Sequence, residues 1–544
     1  MHGLEITKST TPGKGDQYPA VITVEDFAPP PELSKLEKAL KPKSFSTQYP
    51  PWVSSRYLMA VTSFYASLGD YLFGFDQGIM AGLLVNEIFK DRFFSNYMDS
   101  SGSISPNITG ITVACLQVSA GFAALSCSRL CDILGRRYCM RVGGLIYFVA
   151  AFVQVFAPSL PCFIVGRTIQ GFGVGFLSMT VPVIQSEIAA GHKRGLMVGV
   201  EFTFNILGYA TSCWVDYGFF FHLPSNMSWQ GPYFVQCSIA FLLLDISFVV
   251  PETPRWLAAN GFATEALQTL ANLHGNGSIE KDEVVAMNIE IQEAVLYERH
   301  LGIASWKEMF TIYRHRTFMA MTGQMFAQLN GINVISFYLA SSLSNAGFST
   351  EKSLLYAGYN SIVYIFATLP TWYLADRWGR RPLLMFGSIA MALALSMVCM
   401  FTEMASFSTL QRANGMFGFV VVYNAIFGAT WGPIPWLLPA EVFPLRARAK
   451  GMALATVANW CFNFAIGMSS PAAFAKIKGY YYLIIVGFCL ISLVMVKFMY
   501  IETAKVTLEE IAIQFGDRAF EHEDQLELQE MVNLRSGKKV ETKA

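Results

Sequence analysis

Charged residues are scarce in this chain of 544 residues, since they make up 14% of it, against about 25% in an ordinary soluble domain. Hydrophobic residues reach 53% and the formal net charge is zero, so the basic excess that marks a nucleic-acid partner is missing. The ten cysteines show no disulfide or zinc spacing, and the seven histidines are scattered. The composition therefore excludes a soluble domain and a nucleic-acid-binding protein, and it predicts no metal and no cofactor.

Twelve apolar stretches have the roughly 20 residues that a helix needs to cross a bilayer, six before a polar middle segment and six after it. The predicted spans are 57–83, 108–128, 138–157, 162–186, 196–218, 232–250, 317–343, 353–374, 382–402, 412–436, 450–471 and 481–500. Residues 1–50 contain no apolar stretch suitable for a cleaved signal, so we expect the first span to anchor the chain.

The spans predict an all-α membrane protein with twelve transmembrane helices in two six-helix bundles. The predicted divisions are a cytosolic tail (1–56), the first bundle (57–250), a helical cytosolic linker (251–316), the second bundle (317–500) and a second cytosolic tail (501–544).

Three short charged phrases occur twice, at nearly constant offsets. Asp132 to Arg137 repeats at Asp376 to Arg381, 244 residues later. Glu187 and Arg194 repeat as Glu441 and Arg448 at an offset of 254, and Glu252-Thr253 repeats as Glu502-Thr503 at 250. Parallel repeats in an apolar chain are typical of secondary transporters whose two halves move around a shared site.

Basic residues predict the orientation of the chain in the membrane. The short loops on the face that carries the repeats hold twelve lysines and arginines, and those on the other face hold six. The repeats, the linker and both tails are therefore expected in the cytosol. In the linker, Pro254 after Thr253 and the pair Ser305 and Glu308 have helix-capping spacing, and a further helix is predicted from Thr507. The linker is interpreted either as a latch joining the halves or as a solubilising connection.

Arginines and acids of the repeats predict a cytosolic gate, because guanidinium groups bind carboxylates in bidentate pairs. Two to four bonds between the halves, at about 1.5 to 3 kcal/mol each, would supply the about 5.5 kcal/mol that switches a two-state equilibrium. The alternative interpretation is a topology determinant with static pairing at helix ends. The candidate gate residues are Asp132, Arg136, Arg137, Glu187, Arg194, Asp376, Arg380, Arg381, Glu441 and Arg448.

Several phrases, in order along the chain, resemble the sugar porters of the major facilitator superfamily, in particular their fungal branch, over residues 55–515. Besides the repeats, the phrases are Gly74 to Gly78, Gly166-Arg167, Trp214 to Gly218, Pro251 to Leu257, Gln328 to Tyr338, Gly432 to Glu441 and Asn459-Trp460. The resemblance implies alternating access, with the repeated charge pairs closing the outward-facing state and breaking when the transporter opens inward.

Ionisable residues inside spans are costly and usually functional. Asp70, Asp76, Arg167 and Asp245 are such residues. Asp70 and Asp76 lie about 120° apart around a helix, so one pathway would not readily use both. Asp76 is favoured because its phrase resembles the family's first helix, where an acid serves proton coupling, and Arg167 is at the matching partner position. An aspartate whose arginine moves away can bind and release a proton.

The substrate site is expected near the middle of the bilayer, between the halves. The resemblance implies that Gln328, Asn333, Trp436 and Asn459 contact the sugar, and Tyr338 is a further candidate. Gln328 and Asn333 face one way only if the helix bends, which Gly331 would permit. The alternative role for amides in a membrane is to join helices by hydrogen bonds.

Two departures from the family pattern bear on the substrate. Ala327 stands where the family usually has the first of two glutamines, and Phe202 replaces a glutamine of the fifth helix. An apolar lining discriminates weakly between hydroxylated ligands, so the departures argue against a hexose, and the ligand is interpreted as a smaller polyol, a disaccharide held elsewhere or a less polar metabolite. Glu201 either replaces one lost acceptor or is an interfacial charge.

The sequence predicts a monomeric secondary active transporter that imports a sugar or polyol together with protons, in the plasma membrane and with both termini cytosolic. An uncoupled facilitator is the leading alternative, and a nutrient sensor with a transporter fold is the alternative of another class. An enzyme is not expected, because no catalytic constellation of nucleophile, base and acid occurs in the chain.

Overall fold

The computed structural model describes residues 49, 53–98, 104–188, 194–301, 304–404, 406–504 and 515. Within these ranges the chain is built from α-helices, with two single turns of 3-10 helix. The helices of the first half are α1 (Ser55–Leu83), α2 (Glu87–Phe94), α3 (Pro106–Leu134), α4 (Arg136–Val155), α5 (Leu160–Ile188), α6 (Arg194–Phe220) and α7 (Met227–Ile246). The linker helices are α8 (Pro254–Ala259), α9 (Ala263–His274), α10 (Asp282–Leu301) and α11 (Trp306–Thr311).

The second half has nine helices in the described ranges, because three of its spans are divided. These helices are α12 (Arg314–Leu329), α13 (Ile332–Asn345), α14 (Thr350–Thr368), α15 (Thr371–Trp378), α16 (Arg380–Glu403), α17 (Thr409–Ala429), α18 (Ile434–Val442), α19 (Leu445–Ile477) and α20 (Tyr481–Met499). The pairs α12 and α13, α14 and α15, and α17 and α18 each form one span. The chain thus forms the two six-helix bundles that the sequence predicted.

Length and hydropathy alone identify six helical segments of the described residues as able to cross a membrane. These segments are 106–134, 136–155, 160–188, 380–403, 409–442 and 446–499. Large apolar side chains such as Phe122, Phe241, Leu393 and Phe498 are exposed on the outside of the bundles. An apolar outer surface of this kind is expected of a protein surrounded by lipid rather than water.

The divided spans have local causes that the sequence shows. Gly331 separates α12 from α13 with a φ of 98°, a conformation that favours glycine because it has no Cβ. The predicted bend at Gly331 is therefore confirmed. Pro433 lies between α17 and α18, and Pro370 lies between α14 and α15, in agreement with the effect of proline on helix continuity.

Some helices extend beyond the predicted apolar spans. The helix α3 continues through Asp132 to Leu134, and α19 begins at Leu445 and includes Arg446 and Arg448. Backbone hydrogen bonds continue the helix past the apolar stretch, so hydropathy alone sets the boundaries too short. The repeated residues Asp132, Arg136, Asp376 and Arg380 are therefore parts of helix ends, whereas Glu252 and Glu502 lie between or after helices.

The linker is bonded to both halves. The Ser55 hydroxyl at the start of α1 donates to the Asn272 carbonyl at 2.7 Å. On the other side, Arg446 binds Glu308 at 2.6 Å, and the Lys450 ammonium donates to the Ala304 carbonyl at 2.6 Å. These bonds favour the interpretation of the linker as a latch.

Two capping predictions have different outcomes. Ser305 and Glu308 form the predicted capping box at α11, which is thereby confirmed. Thr253 is the residue before α8, but its hydroxyl binds Glu187 and makes no cap bond. The helix predicted from Thr507 lies outside the described residues.

Candidate transport site and cytosolic charge clusters

A cavity of about 650 Å³, counting the space that opens to solvent, lies between the two halves. Its lining from the first half includes Asp70, Phe73, Gln77, Glu201, Phe202 and Asn205, and its lining from the second half includes Ala327, Gln328, Asn333, Tyr364 and Trp436. Carboxyl, amide and phenol groups alternate there with aromatic rings. Binding sites for small molecules typically combine an apolar wall with a few polar groups in this way.

Three of the five predicted substrate residues line the cavity, namely Gln328, Asn333 and Trp436. The Asn333 amide donates to the Gln328 side-chain oxygen across the break between α12 and α13. The break thus turns residues five positions apart toward each other, as their predicted role requires.

The other two predicted residues are not among the described lining. The Tyr338 hydroxyl donates to the Gly467 carbonyl at 2.8 Å, and the Asn459 amide donates to the Gln324 side-chain oxygen at 2.6 Å. Both residues join neighbouring helices of the second half, which is the alternative that the sequence left open for membrane amides.

Asp76 and Arg167 form a bidentate pair inside the first half. The Arg167 Nη1 and Nη2 atoms lie 3.3 and 3.2 Å from the two Asp76 carboxylate oxygens. The exposed fractions are 3% for Asp76 and 0% for Arg167. The structure therefore brings together the two residues that the sequence predicted as a coupling pair, and it shields them from solvent.

The first charge cluster, comprising Asp132, Arg136, Glu187, Glu252 and Thr253, lies at the predicted cytosolic ends of α3 and α4. The Arg136 Nη2 atom is 2.9 Å from Glu187 Oε1, and its Nη1 atom is 3.4 Å from Asp132 Oδ1. The Thr253 hydroxyl donates to Glu187 Oε2 at 2.6 Å. Each Glu187 oxygen therefore has its own donor.

Glu252 holds the turn before α4. Its carboxylate accepts the backbone N–H groups of Arg136 at 2.9 Å and of Arg137 at 3.1 Å. Burial raises the pKa of Glu252 to about 7, against the opposing effects of the Thr253 amide and the Arg136 guanidinium. The Arg137 guanidinium donates to the Val250 carbonyl at 3.0 Å, within the same half.

The second charge cluster, comprising Asp376, Arg380, Glu441, Glu502 and Thr503, has the same pattern of ion pairs and hydrogen bonds. Arg380 donates to both Glu441 oxygens, at 2.6 and 3.2 Å, and its Nη2 atom is 2.8 Å from Asp376 Oδ1. The Thr503 hydroxyl donates to Glu441 Oε2 at 2.6 Å. The second half thus contains a complete copy of the arrangement.

Glu502 also reproduces the role of Glu252. It accepts the backbone N–H groups of Arg380 at 2.9 Å and of Arg381 at 3.1 Å. The Arg381 Nε atom donates to the Val496 carbonyl at 3.3 Å.

A glycine precedes each pair of arginines and has a positive φ. Gly135 and Gly379 both have a φ of 95°, and a Cβ at either position would collide with the carboxylate of Glu252 or Glu502. The glycine of the repeated phrase is therefore required by both its backbone conformation and the close carboxylate.

The ion pairs described for Arg136 and Arg380 agree with the alternative interpretation of the gate residues, static pairing at helix ends. Each ion pair described for Arg136 and Arg380 joins residues of one half, whereas bonds between the halves were expected. The duplicated segment contains its own acceptors, so Arg136 and Arg380 each bind carboxylates of their own copy. Arg448 donates to the Phe443 carbonyl at 3.5 Å, and the Arg194 side chain lies outside the described residues.

Neutral side chains form hydrogen bonds that do cross between the halves. The hydroxyls of Thr203 in α6 and Thr368 in α14 lie 2.9 Å apart. The Trp372 indole N–H donates to the Thr203 hydroxyl at 3.1 Å. Phe73 in α1 also packs on Trp460 in α19, with ring centroids 5.0 Å apart.

The fold brings together groups that the sequence analysis does not pair. The Asp70 and Glu201 carboxyls both line the cavity and lie within hydrogen-bonding range of each other. The sequence indicates each of them separately, Asp70 as an acid inside a span and Glu201 as a replacement acceptor or an interfacial charge. The thiols of Cys127, Cys131 and Cys139 also converge, with sulfur atoms within 4.8 Å of one another. Only the spacing of Cys127 and Cys131, one helical turn apart, signalled this.

Comparisons with known proteins agree with this architecture. The profile of the family described as "Sugar (and other) transporter" matches residues 62–515. The chain therefore belongs to this family of the major facilitator superfamily, and it is a multi-pass membrane transporter rather than an enzyme.

Among its relatives is the probable glucose transporter rco-3 of Neurospora crassa, 31% identical over 469 residues, or 82% of this chain and 77% of the relative. The high-affinity glucose transporter of Kluyveromyces lactis is 29% identical over 477 residues, or 84% of each protein. These relatives are fungal sugar transporters by name, in agreement with the resemblance.

Solved structures with the same fold include the proton:xylose symporter XylE bound to 6-bromo-6-deoxy-D-glucose. Its TM-score is 0.73 at 23% identity, covering 85% of this chain and 100% of that one. A partially occluded inward-open structure of XylE from E. coli has a TM-score of 0.69 at 22% identity, covering 83% and 99%. These likenesses establish the fold of the chain.

Proposed function

We propose that this protein imports a sugar or polyol by alternating access, coupled to protons, as a monomer in the plasma membrane with both termini cytosolic. The observation that carries the proposal is the cavity between the halves, with amides and aromatic rings in its wall. Sugars offer hydroxyl groups for the amides and apolar ring faces for the aromatic side chains.

In this proposal Gln328, Asn333 and Trp436 contact the substrate from the second half. Tyr338 and Asn459 act on the same site through the bonds that hold α13 and α19 in place. The names of the relatives as glucose transporters support a sugar as the substrate class. Phe202 and Ala327 both line the cavity, so the wall is less polar than the family pattern and favours a ligand with fewer hydroxyl contacts.

Proton coupling is assigned to Asp76 and Arg167. A buried carboxylate held by one guanidinium stays ionised while the pair is intact, and it takes up a proton when the pair separates. Because both residues belong to the first half, a local displacement of α1 relative to α5 that opens and closes this pair during the cycle would link a proton to each transport event. The fold neighbour that is titled a proton:xylose symporter supports this assignment.

A panel of radiolabelled hexoses, pentoses, polyols and disaccharides tests the substrate and the coupling together. In reconstituted vesicles with an imposed proton gradient, we expect accumulation of one sugar or polyol class that a protonophore abolishes. Uptake that equilibrates and ignores the protonophore would identify an uncoupled facilitator. Vesicles that take up none of these solutes would contradict sugar transport.

The Asp76→Asn variant tests the coupling residue. We expect it to lose accumulation against a gradient while it still exchanges labelled for unlabelled substrate. Asp245→Asn is the matched control, because Asp245 is an exposed carboxyl near the end of α7. Equal loss of exchange and accumulation in Asp76→Asn would count against a role in coupling.

A further inference from the structure

Two carboxyl groups face each other in the transport cavity. Asp70 comes from α1 and Glu201 from α6, and their exposed fractions are 7% and 4%. Both line the cavity, and their side chains lie within hydrogen-bonding range of each other. This pair is separate from Asp76 and Arg167, which are not among the described lining residues.

The described lining of the cavity offers this pair no positive charge. It contains no lysine, arginine or histidine, and its other polar side chains are Gln77, Asn205, Gln328, Asn333 and Tyr364, which are all neutral. The Asn205 amide from the same lining donates to the Asp70 backbone carbonyl at 3.0 Å and not to a carboxylate. The Glu201 Oε2 atom is buried and has no hydrogen-bond partner among the described residues.

Electrostatics limits the protonation states of such a pair. Two ionised carboxylates are both acceptors, so neither can donate to the other. Their like charges repel strongly in a poorly solvated site, and one of two adjacent carboxyls then retains a proton. With one proton, a carboxylic acid donates to a carboxylate, and acceptor positions remain free toward the cavity.

We propose that Asp70 and Glu201 share one proton and together bind a hydroxyl group of the transported substrate. This inference rests on the proposed function and adds two recognition residues to it. The free Glu201 oxygen is the acceptor for a substrate hydroxyl, at the position where Phe202 has removed the family's amide. Loss of the shared proton leaves two repelling anions, which separate and lose the binding geometry, so substrate affinity falls as pH rises.

Equilibrium binding without a gradient separates recognition from coupling. With radiolabelled D-glucose and D-sorbitol as probes, wild-type affinity is expected to fall about tenfold per pH unit once the shared proton is lost. Glu201→Gln and Asp70→Asn each place an amide donor beside the remaining carboxylate at every pH, so their affinity should not vary with pH. The comparison is repeated in the Asp76→Asn background, where the coupling carboxyl adds no pH dependence of its own.

The binding experiment has clear contrary results. If Glu201→Gln and Asp70→Asn keep the pH dependence of their parent protein in the Asp76→Asn background, the assignment of recognition to this pair is overturned. Asp245→Asn is again the exposed-carboxyl control and should bind as the wild type does. Thermal unfolding of each purified variant identifies any variant that fails to fold.

Infrared spectroscopy tests the shared proton without any ligand. At neutral pH the wild type should show the C=O stretch of one more protonated carboxyl than the double variant Asp70→Asn with Glu201→Gln. Equal bands in the two proteins would overturn the shared proton. If the extra band is present but neither probe binds at any pH, the hydroxyl-binding role is overturned. The uptake panel then decides separately whether the proposed function fails.

Discussion

The two charge clusters can be compared residue by residue, because they are copies of one sequence. In both, a threonine hydroxyl donates at 2.6 Å to the glutamate that the arginine binds. In both, a second glutamate accepts the backbone N–H groups of the two arginines, and a glycine with a φ of 95° precedes them. The ion pairs described for Arg136 and Arg380 therefore stabilise contacts within one half.

The copies differ in how the central ion pair is held. Arg380 binds Glu441 through two nitrogen atoms, whereas Arg136 binds Glu187 through one. The Glu187 side chain is 7% exposed and that of Glu441 is 20% exposed. The linker also covers the first cluster, where the Trp256 indole N–H donates to the Asp132 carbonyl at 2.9 Å. The first pair thus depends more on burial and the second more on bidentate geometry.

The hydrogen bonds described between Thr203, Thr368 and Trp372 join the halves through neutral groups. Neutral hydrogen bonds such as that between Thr203 and Thr368 contribute about 0.5 to 1.5 kcal/mol each, whereas bonds to charged groups contribute about 1.5 to 3 kcal/mol. In the proposed alternating access, movement between the halves would therefore break the neutral bonds and leave the ion pairs of Arg136 and Arg380 intact.

The largest expected effect is the loss of an arginine. Removal of one partner from a buried ion pair costs about 3 to 5 kcal/mol, so Arg136→Ala and Arg380→Ala should both strongly lower the unfolding free energy in detergent. The loss should be greater for Arg136, because its partner Glu187 is less exposed than Glu441.

Arg377→Ala provides the control for this comparison. Arg377 belongs to the same repeated phrase, but it is exposed and binds the Tyr373 hydroxyl on the surface. Its replacement should change the unfolding free energy by less than about 0.5 kcal/mol. Equal losses for Arg377 and Arg380 would contradict the structural role of the second cluster.

Exchanging the arginine and the glutamate of an ion pair should have an intermediate effect on the unfolding free energy. Arg380→Glu combined with Glu441→Arg should recover about 1.5 to 3 kcal/mol relative to the sum of the single variants. Arg136→Glu combined with Glu441→Arg should recover none, because these residues belong to different clusters. Double-mutant cycles on unfolding free energy measure both. Recovery of unfolding free energy in Arg136→Glu with Glu441→Arg would instead support the prediction that the gate residues form bonds between the halves.

The threonine hydroxyls should give the smallest effect, and equal effects in the two copies. Thr253→Val and Thr503→Val each remove one donor from a glutamate that keeps its arginine, at a cost of about 1 kcal/mol. Thr311→Val is the control, because the Thr311 hydroxyl is exposed and binds only its own helix. A loss of unfolding free energy at Thr253 several times that at Thr503 would show that the linker, and not the repeated hydrogen bond, determines stability at the first cluster.

Much of the fold follows from patterns that are local or repeated in the sequence. The repeated phrases predict two bundles, Gly331 predicts the break in the seventh span, and Ser305 with Glu308 predicts the cap of α11. Each of these depends on a few neighbouring residues or on a duplication, so packing is not needed to find it.

The pairing of side chains between helices could not be predicted in the same way. A repeat offset does not say which arginine meets which glutamate, since the pairing depends on how α4 packs on α5. The angle between Asp70 and Asp76 was considered within one helix, although the partner of Asp70 is Glu201 on α6. Likewise, the amide of Asn459 is bonded to Gln324 rather than facing the cavity, which depends on the packing of α12 and α19.

Spin-label distances test the rigid halves most directly. Spin labels are introduced as noncanonical residues at four exposed positions, Tyr57, Phe248, Trp378 and Phe498. The distance from Tyr57 to Phe248 reports on the first half, and the distance from Trp378 to Phe498 reports on the second. The distance from Tyr57 to Trp378 connects the two halves. When the transported substrate is added, the distribution of distances between Tyr57 and Trp378 should shift, whereas the two distances within a half should stay constant. A shift within either half as large as the shift between them would contradict rigid halves moving around the cavity.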